Sequence, residues 1–369
     1  MNIQVVDRKS LDTAPKVTLA IADGDIHPRP KSPDDITRYL SQRWQEHAQT
    51  YGFMPRHGVA KGPAYPKVMP DASRRDAVTP TGGRPGSDVG FLGTHLLDPY
   101  NIELGVLNLI NPAPGASQNL DYAEALSTAM NAWLIDEWLE KDKRLKGSIV
   151  IPYEHVEASV KEIERHAGDK RFVQVLLMSR TAEPLGQRKY WPIFAAAERA
   201  GLPIGVHAFG YGGFPVTGSG WPSYYTEEMT GHAASCQSLV NSMVIEGVFE
   251  RFPGLKLVLT ESGFAWLPSL AWRLDKIWKR LRDETPHLKK LPSEYIKQHI
   301  WFTTQPMDEP EKRRHLADII EWIGWDRLIF ATDYPHWDWD DPHWALPIRP
   351  NEEQRKLLFR ENARAVWGV

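Results

Sequence analysis

Cysteine is almost missing from this chain of 369 residues, which carries a single one, Cys236. One thiol excludes an internal disulfide framework, and its place in a helical stretch reads as a small buried residue rather than a nucleophile. Long apolar runs are also lacking: none approaches the ~20 residues a membrane-spanning helix requires. The opening text MNIQVVDRKSLDTAPK has neither the basic start nor the apolar core of a signal peptide. A soluble, cytoplasmic protein is expected. No sign of charge dominates, with 44 basic against 47 acidic residues, and no Lys/Arg run interleaves with aromatics to track a phosphate backbone. Neither nucleic acid nor a membrane is therefore an expected partner.

What the chain does have is length, 42% hydrophobic residues, fifteen tryptophans and twelve tyrosines. The aromatics fall largely in segments that read as loops, where they either wall a pocket or seal subunit contacts. Eight short apolar runs occur at 17–22, 102–109, 147–152, 172–178, 203–208, 256–260, 300–304 and 328–332. They are near-continuously hydrophobic, as parallel strands buried on both faces must be. Helical periodicity fills the gaps at 120–140, 155–167, 190–200, 233–251, 264–282, 310–323 and 352–366. Eight β/α units predict one (β/α)8 TIM barrel over the whole chain. A doubly wound sheet is the alternative, but no glycine-rich phosphate loop follows the first run. Residues 28–100 interrupt the rhythm with Pro-, Gly- and Arg-rich text, apart from a helical reading over 33–50. So long an irregular stretch is expected to be a functional insertion after the first strand, lying over the barrel mouth or at a subunit interface.

In such barrels the chemistry sits at the C-terminal strand ends. The first run leads to Asp23-Gly24-Asp25-Ile26-His27, where Asp25 and His27 are two apart and share one side of an extended chain. The fifth ends in Gly205-Val206-His207, and the eighth in Ala331-Thr332-Asp333-Tyr334-Pro335-His336. Singly, each is explained by a helix cap or a core histidine. Together they supply nitrogen and oxygen donors for one divalent ion. Glu261, after the sixth run, is a general base, a metal ligand or the partner of an arginine. Asn108, Arg180 and Gln305 end other runs and are candidates to bind a polar substrate, with Arg180 either clamping a carboxylate or forming a surface ion pair. Trp221 and Tyr224, in the aromatic loop 210–231, are further substrate-binding candidates.

These motifs, with Phe252-Pro253-Gly254-Leu255-Lys256 leading into the sixth run, resemble the amidohydrolase 2 family of metal-dependent barrels related to aminocarboxymuconate semialdehyde decarboxylase. The resemblance spans most of the chain. It implies Asp25, His27 and His207 as ligands, with Asp333 a ligand or the acid/base beside the ion. Family decarboxylases place a histidine after the sixth strand where this chain has Glu261. Glu261, Arg43-Trp44, Trp221-Pro222-Ser223-Tyr224-Tyr225 and Gly263-Phe264-Ala265-Trp266-Leu267-Pro268 resemble a branch that includes the two-subunit 2-aminoisobutyrate hydroxylase. There a histidine often follows the Tyr-Tyr pair, where this chain has Met229, with His232 three residues on.

Two readings follow from the resemblance. One is a hydrolase or lyase acting on a small polar substrate through metal-activated water, with zinc if the site is mononuclear. The other is a subunit of an iron or manganese monooxygenase, in which Glu261 and His336 serve a second ion or a paralogous partner subunit completes a heteromer. A third, of a different class, is a structural subunit that keeps a metal for folding.

Overall fold

The computed structural model describes residues 19–52, 72–208, 215–218 and 220–369. Among them, eight parallel strands pair in sequence order. These are β1 (Ile21–Ile26), β2 (Ile102–Leu107), β3 (Leu145–Val150), β4 (Phe172–Met178), β5 (Ile204–His207), β6 (Leu257–Thr260), β7 (Ile300–Thr303) and β8 (Leu328–Ile329). The ring closes between its first and last strands: Gly24 N–H donates to Phe330 O at 2.9 Å, Asp333 N–H to Asp25 O at 3.0 Å, and His27 N–H to Tyr334 O at 2.8 Å. This is the expected (β/α)8 barrel, and every residue of β4 is buried, in keeping with its unbroken apolar text.

Two apolar layers hold it. Between barrel and helices packs a large cluster that includes Trp138, Tyr190, Phe194, Phe264 and Phe302. Inside the barrel Ala22, Leu104, Val106, Val173, Val258 and Ile329 meet Val366 and Trp367 of the final helix, which plugs the N-terminal end. Lys256 Nζ, just ahead of β6, donates to the Ala365 and Val366 carbonyls and ties that plug down.

Some boundaries move. Residues 17 and 18 of the run 17–22 lie outside the described residues; the first strand is Ile21–Ile26, so Asp25 lies within it rather than beyond it. The text IADGDI can lack apolar continuity because its two acids are absorbed by buried hydrogen bonds, Asp23 to Thr332 after β8 and Asp25 to Asn108 after β2, a tertiary effect. The helix expected over 233–251 begins at Tyr225, runs to Ile245, and is separated by Gly247 (φ 77°) from the turn Val248–Arg251. Its first two turns are polar and carry no apolar period, but Glu227 and Glu228 favour an N-terminus by their charge. A helix at Pro292–His299 was not anticipated; its proline at the first turn and Glu294, which accepts from Leu291 N–H at 2.8 Å, are its sequence marks.

Within the long 28–100 stretch the described residues divide. The helices Asp34–Thr37 and Gln42–Tyr51 stand beside the outer helix Leu120–Leu134 and the turn after it, with Tyr39 OH donating to Asp136 and Trp44 and His47 against Tyr122. Residues 72–87 lie on the chain that leaves β8: Arg74 N–H donates to Pro335 O and Trp337 N–H to Ala72 O, each at 2.9 Å. Residues 53–71, and 209–214 in the aromatic loop, lie outside the described residues.

Candidate metal centre

Register brings the strand ends level. Met178, His207 and Thr260 are neighbours across β4, β5 and β6, so His207 faces the barrel axis at its mouth. Asp25 and His27, two apart on β1, do share a side: His27 Nε2 is 3.2 Å from Asp25 Oδ1. The same nitrogen is 2.9 Å from Asp333 Oδ1. His207 Nε2 lies 3.4 Å from Asp25 Oδ2 and 3.6 Å from Glu261 Oε2. His336 Nδ1 is 2.6 Å from Asp333 Oδ1 and 3.6 Å from Glu261 Oε1. All six side chains predicted to surround the ion converge, in two overlapping groups whose donor atoms lie within 4.8 Å of one another: Asp25, His27, His207 and Glu261, then His27, Glu261, Asp333 and His336.

Glu261 and Asp333 occupy the left-handed region, with φ of 54° and 61°. That conformation costs a non-glycine residue about 1–3 kcal/mol and persists only where surroundings enforce it. Here it ends β6 and the run after β8 with both carboxyls in the cluster.

The electrostatics call for a cation. Burial opposes ionisation of Asp25, yet the imidazoles of His27 and His207 hold its carboxyl well below the usual range. Burial would lower His27, but the charge of Asp25 raises it. Burial, then the charge of Asp333, pushes Glu261 well above the ordinary glutamate range. Burial, then Asp338 and Asp25, does the same to Asp333. Four buried atoms, Asp25 Oδ2, His27 Nε2, Glu261 Oε2 and Asp333 Oδ2, have no hydrogen-bond partner. Buried polar atoms left in this way cost free energy unless an ion takes them, so the donor set fits a divalent metal.

A supporting shell holds the donors. His27 Nδ1 lies 3.0 Å from the Asn108 carbonyl, which can only accept, so Nδ1 carries the proton and Nε2 faces the cluster. Asn108 Nδ2 donates to Asp25 Oδ1 at 2.8 Å, and Asn108 Oδ1 accepts from Ser148 at 2.6 Å and from Gln174 at 3.2 Å. Gln174 in turn accepts from Trp367 Nε1 at 3.0 Å. A buried chain of hydrogen bonds thus crosses the barrel from plug to ligand, and Gly205 makes room for it, since a Cβ there would stand 2.6 Å from the Gln174 carboxamide carbon. Asp23 accepts from Thr332 N–H and Oγ–H, fastening β1 to the run after β8, and burial pushes its carboxyl up to about 7.

The substrate-side candidates scatter. Asn108 is fully buried and engaged with Asp25, so it supports a ligand instead of facing a substrate. Gln305 is buried, donates to Asp338 O at 3.1 Å, and leaves its Oε1 without a hydrogen-bond partner. Arg180 stands at the end of β4, close enough for its charge to act on Tyr153, Glu228 and His232. Trp221 and Tyr224 are 44% and 76% exposed and outside the cluster. Tyr225 is the inward member of its pair: its hydroxyl accepts from Trp337 Nε1 at 3.0 Å. Burial, with the charges of Asp338, Glu228 and Glu261, pushes its hydroxyl up to about 12 against that bond. Sequence reasoning also passed over Arg29, whose Nη2 is 2.9 Å from His336 Nε2, although its place two residues past His27 marks it. His232 is buried in the helix Tyr225–Ile245; burial, then the charges of Arg180 and His207, brings its imidazole down to about 3.

A closed ring of parallel strands with a buried imidazole and carboxylate cluster at its C-terminal mouth defines a metal-dependent (β/α)8-barrel enzyme. The profile of the amidohydrolase family matches residues 22–369, and the chain belongs to that family. Gamma-resorcylate decarboxylase of Polaromonas sp. is 26% identical over 301 residues, covering 76% of this chain and 88% of the relative. Among solved structures, the dihydroxybenzoic acid decarboxylase of Polaromonas sp., with manganese and 2-nitroresorcinol, gives a TM-score of 0.64 at 21% identity over 95% of this chain and 97% of that one. The 5-carboxyvanillate decarboxylase of Novosphingobium aromaticivorans, with manganese and a methoxylated nitrobenzoic acid, gives 0.69 at 19% identity over 96% and 97%. At these identities the structural likeness carries the fold. Among the described residues, no helix is long and apolar enough to cross a membrane.

Proposed function

We propose that this chain is a metal-dependent lyase or hydrolase of a small carboxylic acid with an apolar or aromatic body. The observation that carries the reading is the cluster itself: the buried carboxyls of Glu261 and Asp333, which burial pushes above their ordinary ranges, stand among the donor atoms of Asp25, His27 and His207. Asp25, His27 and His207 would hold the ion, which when bound supplies Lewis acidity toward a substrate oxygen or water. Glu261 and Asp333, beside those ligands, would move the proton to or from the reacting atom as general acid or base. Arg180 offers a bidentate clamp for a carboxylate. The aromatic acids named for the relatives support the same class, and their manganese supports Mn2+ beside Zn2+ as the ion. In the test, metal-loaded protein is incubated with 2,6-dihydroxybenzoate, 5-carboxyvanillate and aryl amides. Metal-dependent release of CO2 or amine supports the reading; no turnover of any of them, with O2 consumed on another substrate, sinks it.

A second reading has its own observation. The two donor groups share His27 and Glu261, the arrangement that a pair of ions would need. It supports an oxygen-activating iron or manganese hydroxylase for a small substrate such as 2-aminoisobutyrate, with a paralogous subunit as partner. Stoichiometric iron with substrate-dependent O2 uptake favours this reading, and full activity as a homo-oligomer removes the partner.

A further inference from the structure

The contact between Arg29 and His336 bears on how many ions the centre takes. Arg29 Nη2 lies 2.9 Å from His336 Nε2. A guanidinium offers donors only and keeps its charge at every relevant pH. His336 Nε2 therefore presents its lone pair to Arg29, and the proton of the neutral ring stands on Nδ1. That N–H is aimed at Asp333 Oδ1, 2.6 Å away. With one nitrogen accepting and the other protonated, the ring has no lone pair left for a cation. Removing His336 leaves the second donor group with His27 and Glu261, both shared with the first group, and Asp333. The guanidinium also places a fixed positive charge next to where a second dication would sit.

Arg29 is itself held. Its N–H donates to Gly86 O at 2.7 Å, and Gly86 (φ 75°) comes so near that a Cβ would stand 2.5 Å from the His27 carbonyl oxygen. The segment around Gly86 thus fixes the backbone from which Arg29 reaches across to His336, 307 residues away in the sequence.

We propose that Arg29 limits the centre to one ion by holding His336 as a hydrogen-bond donor to Asp333. His336 is then a positioning residue and not a ligand. The proposal rests on the metal-centre reading above, and ion counting separates the two. Protein loaded with excess Zn2+ or Mn2+, desalted and measured by inductively coupled plasma mass spectrometry, should hold one ion per chain. Arg29→Met should hold two, and Arg29→Lys, which keeps a cationic donor, should return to one. No ion in the wild type overturns the metal centre and the proposal with it. Two ions in the wild type, or one in both wild type and Arg29→Met, overturn the proposal alone. Should Arg29→Met not fold, the ring nitrogens of 15N-histidine protein in its zinc form decide by NMR: His336 protonated at Nδ1 supports the proposal, and a metal-bound Nδ1 overturns it.

Discussion

At the residue scale, the centre depends as much on what orients a donor as on the donor itself. Asn108 illustrates this, since its carbonyl fixes the tautomer of His27 and its amide holds Asp25. Asn108→Ala keeps the main-chain carbonyl that faces His27 but removes the amide that holds Asp25, and is expected to weaken metal affinity about 10–100-fold, the usual penalty for removing an outer partner of a ligand. Chelator competition reads it, and an unchanged dissociation constant would contradict the role. Asp340 makes a separate case. Burial, then the Asp338 and Glu309 charges, pushes its carboxyl up to about 7. An unfolded aspartate titrates near ~3.9, so between these values the folded protein binds more protons and loses stability as pH rises. Asp340→Asn should therefore melt higher than wild type at pH 8, with the advantage shrinking toward pH 5. An equal difference at both values speaks against this. Asp25, His27 and His207 were legible in the sequence because a polar donor at the end of an apolar run is conspicuous. Asn108 was misplaced because the same position serves a buried supporting residue. Tyr224 was named and Tyr225 passed over because the inward residue depends on where the helix starts, which its polar first turns do not reveal.

The elements were readable where their apolar text is continuous. β4 matches its expected bounds residue for residue, whereas β1 does not, because Asp23 and Asp25 look like the end of a strand until their partners on Thr332 and Asn108 are known. Nothing local announces that the last helix turns back to close the barrel, since that depends on Trp367 fitting among residues from five strands. Trp367→Ala should destabilise the protein by about 3–5 kcal/mol as a large buried side chain is lost. Trp367→Phe keeps most of the packing, breaks the bond to Gln174, and should cost about 1–3 kcal/mol. Denaturant unfolding measures both; equal losses in the two variants would place the effect in the hydrogen bond to Gln174 and contradict the packing role of the plug.

For the molecule as a whole, alternating strands and helices pointed to the barrel, and the barrel brought together acids and imidazoles that are 311 residues apart at the extreme, from Asp25 to His336. Cohesion of the mouth follows from that: β1 and the run after β8 meet there through the same residues that would hold the ion. Metal binding should accordingly stabilise the fold, by about 2.7 kcal/mol at a free ion concentration 100 times the dissociation constant. Stripping the ion with a chelator should lower the melting temperature, and restoring it should reverse the shift. Substrate identity stayed illegible because it depends on the packing of mouth segments, not on residue types at strand ends.

The central claim is that the ligands converge on a real ion, and metal analysis of purified wild type beside His207→Ala tests it most directly. The account predicts bound divalent metal in the wild type and its loss in His207→Ala, with the far-ultraviolet circular dichroism of the barrel retained. Equal metal in both proteins, or none in a folded wild type given excess ion, would contradict it.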